Sequence, residues 1–457
     1  MKKLLAALLS VLTLLSCGVL SARCTENTPA DTDDVWKTVS EAYIYAFPLV
    51  LTDATKTLST NTDGTVASRA PVNQFNHAKK LADASFRTVV TPNVDTVYSQ
   101  AWLDISAEPM VFVLPETDRF CNVQLLDAWT NTAAVLDKAG AYAIALPGWE
   151  GELPEGVTRV DVPTATVWSI TRIVLDGNED LPNVYAIQEQ MQLLPLSAYV
   201  QGGAYTAPAG TYSKENDFVP VNRVLSMTPA EFFGTANALM QVDPPAEADA
   251  EMLEKLAAIN VGPGMTFDPS ILGADAAENW KQMLQQLRAT LSADGVNYAR
   301  KLGQWIYYGS PIGDFGTEYS YRAMVALVGL GANTVDVAIY PKTTVDETGA
   351  ALTGEKTYTL HFETLPPTLE GGFWSVTAYG EDDFLIDNPL NRYCINDRSA
   401  FRLNEDGTLD IILSKEAPED TSNWLPVSDG EFHLFMRIYL PDMAALDTWQ
   451  PPVIRAQ

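Results

Sequence analysis

Thr96-Val97-Tyr98-Ser99-Gln100-Ala101-Trp102-Leu103-Asp104-Ile105 alternates: Val97, Ser99, Ala101, Leu103 and Ile105 fall on one side of an extended chain, Tyr98, Gln100, Trp102 and Asp104 on the other. Side chains switch sides at every residue of a strand, so this stretch reads as a strand with one buried face. Working outward, Met110 to Leu114 and Phe120 to Leu126 continue as strands, and Pro109, Pro115, Pro147, Pro154 and Pro163 keep the strands short. The pattern reads as an antiparallel β domain reaching to about residue 175. Strands are expected again from about Tyr319, most clearly at Val335 to Tyr340, Tyr358 to Phe362, Phe373 to Tyr379, Leu409 to Leu413 and Phe432 to Leu440. Asp346-Glu347-Thr348-Gly349 and Glu405-Asp406-Gly407 supply turn chemistry between them.

Helical spacing marks the rest. Val35, Val39, Tyr43, Ala46, Phe47 and Val50 recur at intervals of three and four behind Asp31, Asp33 and Asp34, acids that favour a helix N-terminus. Thr228-Pro229-Ala230-Glu231 is a capping box with proline in the first turn. Asp268-Pro269 is a second start, followed by a stripe of Ala277, Trp280, Leu284, Leu287 and Leu291 that packs as core. The expected architecture is mainly β with a helical middle segment, an α+β chain of two tandem antiparallel β-sandwich, jelly-roll-like domains. Its divisions are a signal peptide with lipobox over 1–17, a tether over 18–34, an N-terminal β domain over 35–178, a mainly helical segment over 179–314 and a C-terminal β domain over 315–457. The two β regions echo each other in order, Asn93 to Tyr98 with Asn333 to Tyr340 and Phe120 to Gln124 with Phe373 to Thr377, which implies two related sandwiches.

The chain of 457 residues carries 29 Lys and Arg against 58 Asp and Glu, a net charge of −29 that repels phosphate backbones and excludes nucleic acid as a partner. Lys2 and Lys3 precede an apolar run from Leu4 to Leu15, too short to span a bilayer and typical of a bacterial export signal. The run ends in Leu14-Leu15-Ser16-Cys17, which resembles the lipobox of bacterial lipoproteins, with Cys17 as the lipidated residue. Cleavage near Ser21 or Ala22 is the alternative. The protein is thus expected outside the cytoplasm, lipid-anchored at the cell envelope or, if the lipobox is not used, secreted. Its only membrane contact would be that anchor. Cys24, Cys121 and Cys394 are an odd set without C-x-x-C spacing, so buried thiols are favoured over a Cys121–Cys394 disulfide.

The run Arg87-Thr88-Val89-Val90-Thr91-Pro92-Asn93-Val94-Asp95-Thr96-Val97-Tyr98, continued through Trp102-Leu103-Asp104 and Arg119 to Asn131, resembles the hallmark of domain of unknown function 1254. Gly329 to Asn333, Phe373 to Thr377, Asn388-Pro389, Asn391-Arg392-Tyr393, Asn423-Trp424, Trp449 and Pro451 resemble domain of unknown function 1214. The resemblance implies a pair of mainly β domains flanking helices in exported bacterial proteins, and no settled activity.

Chemistry must come from the residues. There is no G-x-S-x-G, P-loop, H-E-x-x-H or complete G-x-G-x-x-G, and only His77, His361 and His433 are present, so no metal site and no cofactor are expected. Asn404, Asp406 and Asp410 are spaced somewhat like calcium ligands, but a glycine turn explains them better. What remains is polar residues inside apolar β segments: Arg87, Asn93, Asp95, Tyr98, Arg119, Gln124 and Asp127, then Tyr319, Arg322, Trp374, Tyr379 and Arg392. Buried without partners such groups would each cost a few kcal/mol, so they either satisfy one another in a network that clamps strand ends or line a wet cleft. Three functions stay open. In the first, the β domains bind a small polar or carbohydrate-like ligand, with Trp102, Trp129, Trp374 and Tyr379 as stacking surfaces. In the second, Asp95 and Asp127 form the carboxylate pair of an extracytoplasmic hydrolase or lyase. The third is a structural envelope protein.

Overall fold

The computed structural model describes residues 32–87 and 89–457; the expected signal peptide with Cys17, and Cys24 of the expected tether, lie outside the described residues. Among the described residues, no helix is long and apolar enough to cross a membrane.

Eight strands build a first sandwich: β1 (Thr96–Asp104), β2 (Met110–Leu114), β3 (Cys121–Leu126), β4 (Thr132–Leu136), β5 (Gly140–Ala145), β6 (Val157–Asp161), β7 (Thr166–Val174) and β8 (Gln192–Pro195). One sheet runs β1-β7-β3-β4, with the two-residue strand Asn76–His77 on the free edge of β1, and the facing sheet β6-β5-β2-β8, all neighbours antiparallel except the parallel pair β5-β6. The alternation in β1 does what its sequence requires: Val97, Ala101 and Leu103 point inward with Val123, Leu125, Val167 and Ile173 onto Met110, Phe112 and Ile144. Each fully buried side chain of this size contributes about 1.5–3 kcal/mol.

The second sandwich repeats these eight strands in order, and its first sheet is extended beyond Lys342–Thr343 by the strands Trp305–Tyr308 and Ala299–Leu302. Its members are β9 (Ala338–Ile339, continued by Lys342–Thr343), β10 (Tyr358–Phe362), β11 (Thr368–Gly380), β12 (Cys394–Asn396), β13 (Leu409–Ser414), β14 (Trp424–Pro426), β15 (Phe432–Pro441) and β16 (Val453–Ala456). The sheets run β9-β15-β11-β12 and β14-β13-β10-β16, again with one parallel pair, β13-β14. Adding eight to each label of the first sandwich gives the second, so the sequence echo marks a true structural repeat. Trp374, Val376, Met436 and Ile438 meet Leu360, Phe362, Ile411 and Leu413 in its core.

The helices form a third unit. A helix over Thr32–Thr60 buries Val39, Tyr43, Ala46, Phe47 and Val50 at the spacing read from the sequence, and packs on helices Pro220–Leu225, Pro229–Val242 and Ala250–Ala257. The capping box forms as expected, with the Thr228 side chain accepting from Glu231 N–H and the Glu231 carboxylate accepting from Thr228 N–H. Asp268 caps only a short 3-10 turn, Pro269–Leu272, and the long helix follows at Ala276–Gly295.

One expectation is overturned: Tyr319 does not begin a strand, because Tyr319–Gly329 is a helix packed on Thr32–Thr60 and Ala276–Gly295. Its tyrosines and valines read as β, but Ala323, Met324 and Ala326 are good helix formers, and the helical core rewards the face they share. The stretch Val335 to Tyr340 is likewise mostly turn, with only Ala338–Ile339 in the sheet.

Candidate functional site

The two sandwiches meet through the outer faces of β1-β7-β3-β4 and β9-β15-β11-β12. Phe120 packs edge-on against Phe373 and Tyr439, with ring centroids 5.2 and 5.3 Å apart, and Phe373 stacks on Tyr439 at 4.4 Å. Equivalent arginines occupy the two faces. Register places Tyr98 and Asn122 on either side of Arg172, and Ser375 beside Arg437. Each arginine also takes a carbonyl from a loop of the other half. Arg437 donates to Thr377 Oγ1 (3.1 Å), to the Thr91 carbonyl (2.9 Å) and to the Tyr379 hydroxyl (2.7 Å). Arg172 donates to Gln124 Oε1 (2.9 Å) and, at 3.4 Å, to the Gly331 carbonyl.

The loops that deliver these carbonyls are bent alike. Thr91 and Gly331 both have positive φ, 47° and 83°. At Gly331 a Cβ would stand 3.1 Å from Ile170 Cδ1 and from the Trp168 ring, so glycine is needed for both conformation and space. A β-branched threonine in the left-handed region costs about 1–2 kcal/mol and persists because the loop is held at both ends. Thr91 N–H donates to the Asp383 carbonyl (2.7 Å), and Pro92 O accepts from the Tyr379 hydroxyl (2.7 Å).

Between the arginines lie three phenols. Asn93 Nδ2 donates to the hydroxyls of Tyr98 (3.3 Å) and Tyr439 (2.9 Å), and Asn333 Nδ2 to that of Tyr340 (2.6 Å). Tyr98, Tyr340 and Asn93 are half-buried, so the layer touches solvent at these residues. Burial raises the Tyr439 hydroxyl well above the ordinary phenol range. For Arg172 burial opposes the charge, yet the nearby phenols of Tyr98, Tyr340 and Tyr439 hold its pKa above the ordinary arginine value. Among the described residues Arg172 has no carboxylate partner. Among the described residues Asn122, only 2% exposed, has no hydrogen-bond partner for either side-chain amide atom, and the Asn333 side-chain oxygen also lacks one.

The residues singled out from sequence separate into groups. Asn93, Tyr98 and Gln124 belong to this layer. Asp95 is sealed beside it, accepting from Ser375 Oγ (2.5 Å), Asn396 Nδ2 (3.1 Å) and Arg398 (3.0 Å). Asp127 lies past the other end of β7, accepting from the Trp129 and Asn131 N–H groups and from Asn131 Nδ2. Because β7 separates the two, at about 3.3 Å per residue they are roughly 25 Å apart. That corrects the expected carboxylate pair, which must span roughly 5–9.5 Å.

The stacking surfaces are corrected too. Trp102 lies parallel to Trp168 at 4.9 Å, Trp374 is inside the second core, Trp129 donates to the Asp243 carbonyl, and Tyr379 is fully buried. Arg392 donates to the carbonyls of Thr421 and Trp424, and Arg119 pairs with Asp180. Arg87 pairs with Asp382 in an open groove lined also by Phe384 and Glu431. Tyr319 and Arg322 sit in the helical core with Tyr45. Cys121 and Cys394 are free thiols, and among the described residues no three His, Cys, Asp or Glu side chains are grouped to hold a metal. Arg172, Asn122, Tyr340, Tyr439 and Arg437 were missed, although a charge inside the apolar strands Thr166–Val174 and Phe432–Pro441 is the same signal that selected the others.

Two family models match: a protein of unknown function, DUF1254, over residues 72–195, and another, DUF1214, over 337–443. Each covers most of one sandwich. No curated protein matches the sequence. The crystal structure of the VPA0106 protein from Vibrio parahaemolyticus is similar over 92% of this chain and 99% of that one, with 24% identity and a TM-score of 0.69, and shows the same fold. A crystal structure of a Burkholderia cenocepacia protein aligns at 13% identity over 94% of this chain and 95% of that one, with a TM-score of 0.42.

Proposed function

Because the chain belongs to the family that joins a DUF1254 domain to a DUF1214 domain, a membership that assigns no activity, we propose its function from the site: an exported protein that binds a small polar molecule in the layer between its two sandwiches. The observation that carries this reading is Asn122, a buried amide beside a buried arginine with neither of its side-chain polar atoms paired. A network built only to clamp strands has no use for such a group, since an unsatisfied buried polar atom costs about 1–3 kcal/mol. The half-buried Tyr98 and Tyr340 give a ligand its way in. The export leader and a lipid on Cys17 belong to the same proposal and place the site outside the cytoplasm. Polar small molecules and sugars, screened for a rise in melting temperature with the intact chain, test it. A ligand at 100 times its Kd stabilises by about 2.7 kcal/mol, and the rise should disappear in Asn122→Leu. Shifts that persist unchanged in that variant would place binding elsewhere and refute the proposal.

A further inference from the structure

Resting on the cleft reading above, we infer that the group bound there is an oxyanion, a carboxylate or a phosphate, whose oxygens take the protons offered by Arg172, Tyr98, Tyr340, Tyr439 and Asn122. The argument is a balance of donors and acceptors. Each of the three phenol oxygens already accepts an amide N–H, from Asn93 or Asn333, so each hydroxyl proton must be delivered to something else. Among the described residues none of these hydroxyls donates to a protein acceptor. Asn122 Nδ2 adds an unpaired donor, and Arg172 adds a charge that, among the described residues, meets only neutral acceptors, a side-chain amide, a carbonyl and the Tyr98 phenol.

Among the described residues the free acceptors in the layer are the side-chain oxygens of Asn122 and Asn333 and the Thr96 hydroxyl, which brings a proton of its own to donate. Turning the Asn122 amide changes nothing, since both its atoms are unpaired; turning Asn333 lets Tyr340 donate to its oxygen but leaves its NH2 as the orphan, so donors stay in surplus. A cation would face Arg172. A sugar would bring hydroxyls that must themselves donate, in a site already short of acceptors. An oxyanion accepts only, and it neutralises a guanidinium that burial has stripped of water.

The second half of the repeat provides the internal contrast. Arg437, at the equivalent position, is bonded to three oxygens, one of them the Tyr379 hydroxyl, which passes its own proton to Pro92 O. Ser375, equivalent to Asn122, donates to Asp95, a carboxylate supplied by the chain itself. One copy of the row thus carries its own carboxylate, and the other lacks it where the donors converge.

The test is calorimetric titration of the intact, dialysed chain with acetate, malonate and inorganic phosphate, against acetamide, malonamide and glucose. The anions should bind and the neutral molecules should not, and the stronger of malonate and phosphate identifies the source. Arg172→Met should weaken the anion roughly 10- to 100-fold. Tyr340→Phe keeps the half-buried ring and removes one hydroxyl, at the cost of the bond from Asn333 Nδ2 but of no buried charge, so it keeps the test open if Arg172→Met fails to fold; it should weaken the anion roughly 3- to 10-fold. If a neutral probe binds, and binds through Asn122, the cleft reading stands and the oxyanion is wrong. Anion affinity unchanged in Tyr340→Phe also overturns the inference. If no probe of either class binds, both readings fail.

Discussion

Replacing Asn122 by leucine is the most direct perturbation of the interdomain layer. The two side chains share the same branched skeleton of four heavy atoms, leucine being the bulkier, and Asn122 is 2% exposed with both amide atoms unpaired among the described residues, so the substitution removes polar atoms that the folded, ligand-free chain leaves unsatisfied. One such atom costs about 1–3 kcal/mol, and the leucine variant should be more stable than the parent by about that amount. Ser375→Ala, at the equivalent place in the second sandwich, is the control. It deletes a donor to the buried Asp95 carboxylate and should cost about 1.5–3 kcal/mol. Urea unfolding of dialysed protein, followed by tryptophan fluorescence, reads both. A loss of 1 kcal/mol or more in Asn122→Leu would refute the reasoning: the amide would then be holding the fold through ordered water, and the layer would be a clamp.

Asp95→Asn removes the charge that pairs with Arg398 at 3.0 Å and should destabilise by about 3–5 kcal/mol, seen as a lower urea midpoint; an unchanged midpoint would return Asp95 to the list of functional candidates. Burial raises the Asp127 pKa from 3.8 to about 6 against the opposing hydrogen bonds from Asn131 and Trp129 and the charge of Arg322. Between those values the folded state holds a proton that the unfolded state has lost, so this group makes stability fall as pH rises from about 4 to 6. Asp127→Asn should abolish that fall, changing its stability relative to the parent by up to about 3 kcal/mol between urea titrations at pH 4 and pH 7. Labelling of growing cells with a fatty acid should mark the parent and not Cys17→Ala; equal labelling, or none in either, removes the anchor from the proposal.

The fold was legible where one signal dominated. Alternation in Thr96 to Asp104 and the capping box at Thr228 each answer to a local rule, and both elements form where they were read. The helix Tyr319–Gly329 was not legible, since tyrosine and valine favour a strand locally and only the helical core, assembled from residues hundreds of positions apart, decides otherwise. Site residues were half legible. Selecting polar residues within apolar strands found Asn93, Tyr98 and Gln124, but sequence says nothing of which end of a sheet a residue occupies, so Asp95 and Asp127 looked like partners. Whether a buried polar group is paired is fixed by the neighbouring sandwich, which is why Asn122 stood in the echoing segment without standing out.

The repeat has one more consequence. At its interface the molecule has the pattern of a two-fold homodimer written into one polypeptide: a loop from each half supplies a carbonyl to the arginine of the other, as an isologous contact demands. Two identical subunits could never differ there, because any residue placed on one face is placed on both. Joining the copies in one chain removes that constraint and keeps the halves at a high effective concentration, so the contact no longer has to be strong at every position. Division of labour becomes available: Arg437 can serve as the fastening, while its twin, Arg172, is left with its charge uncommitted.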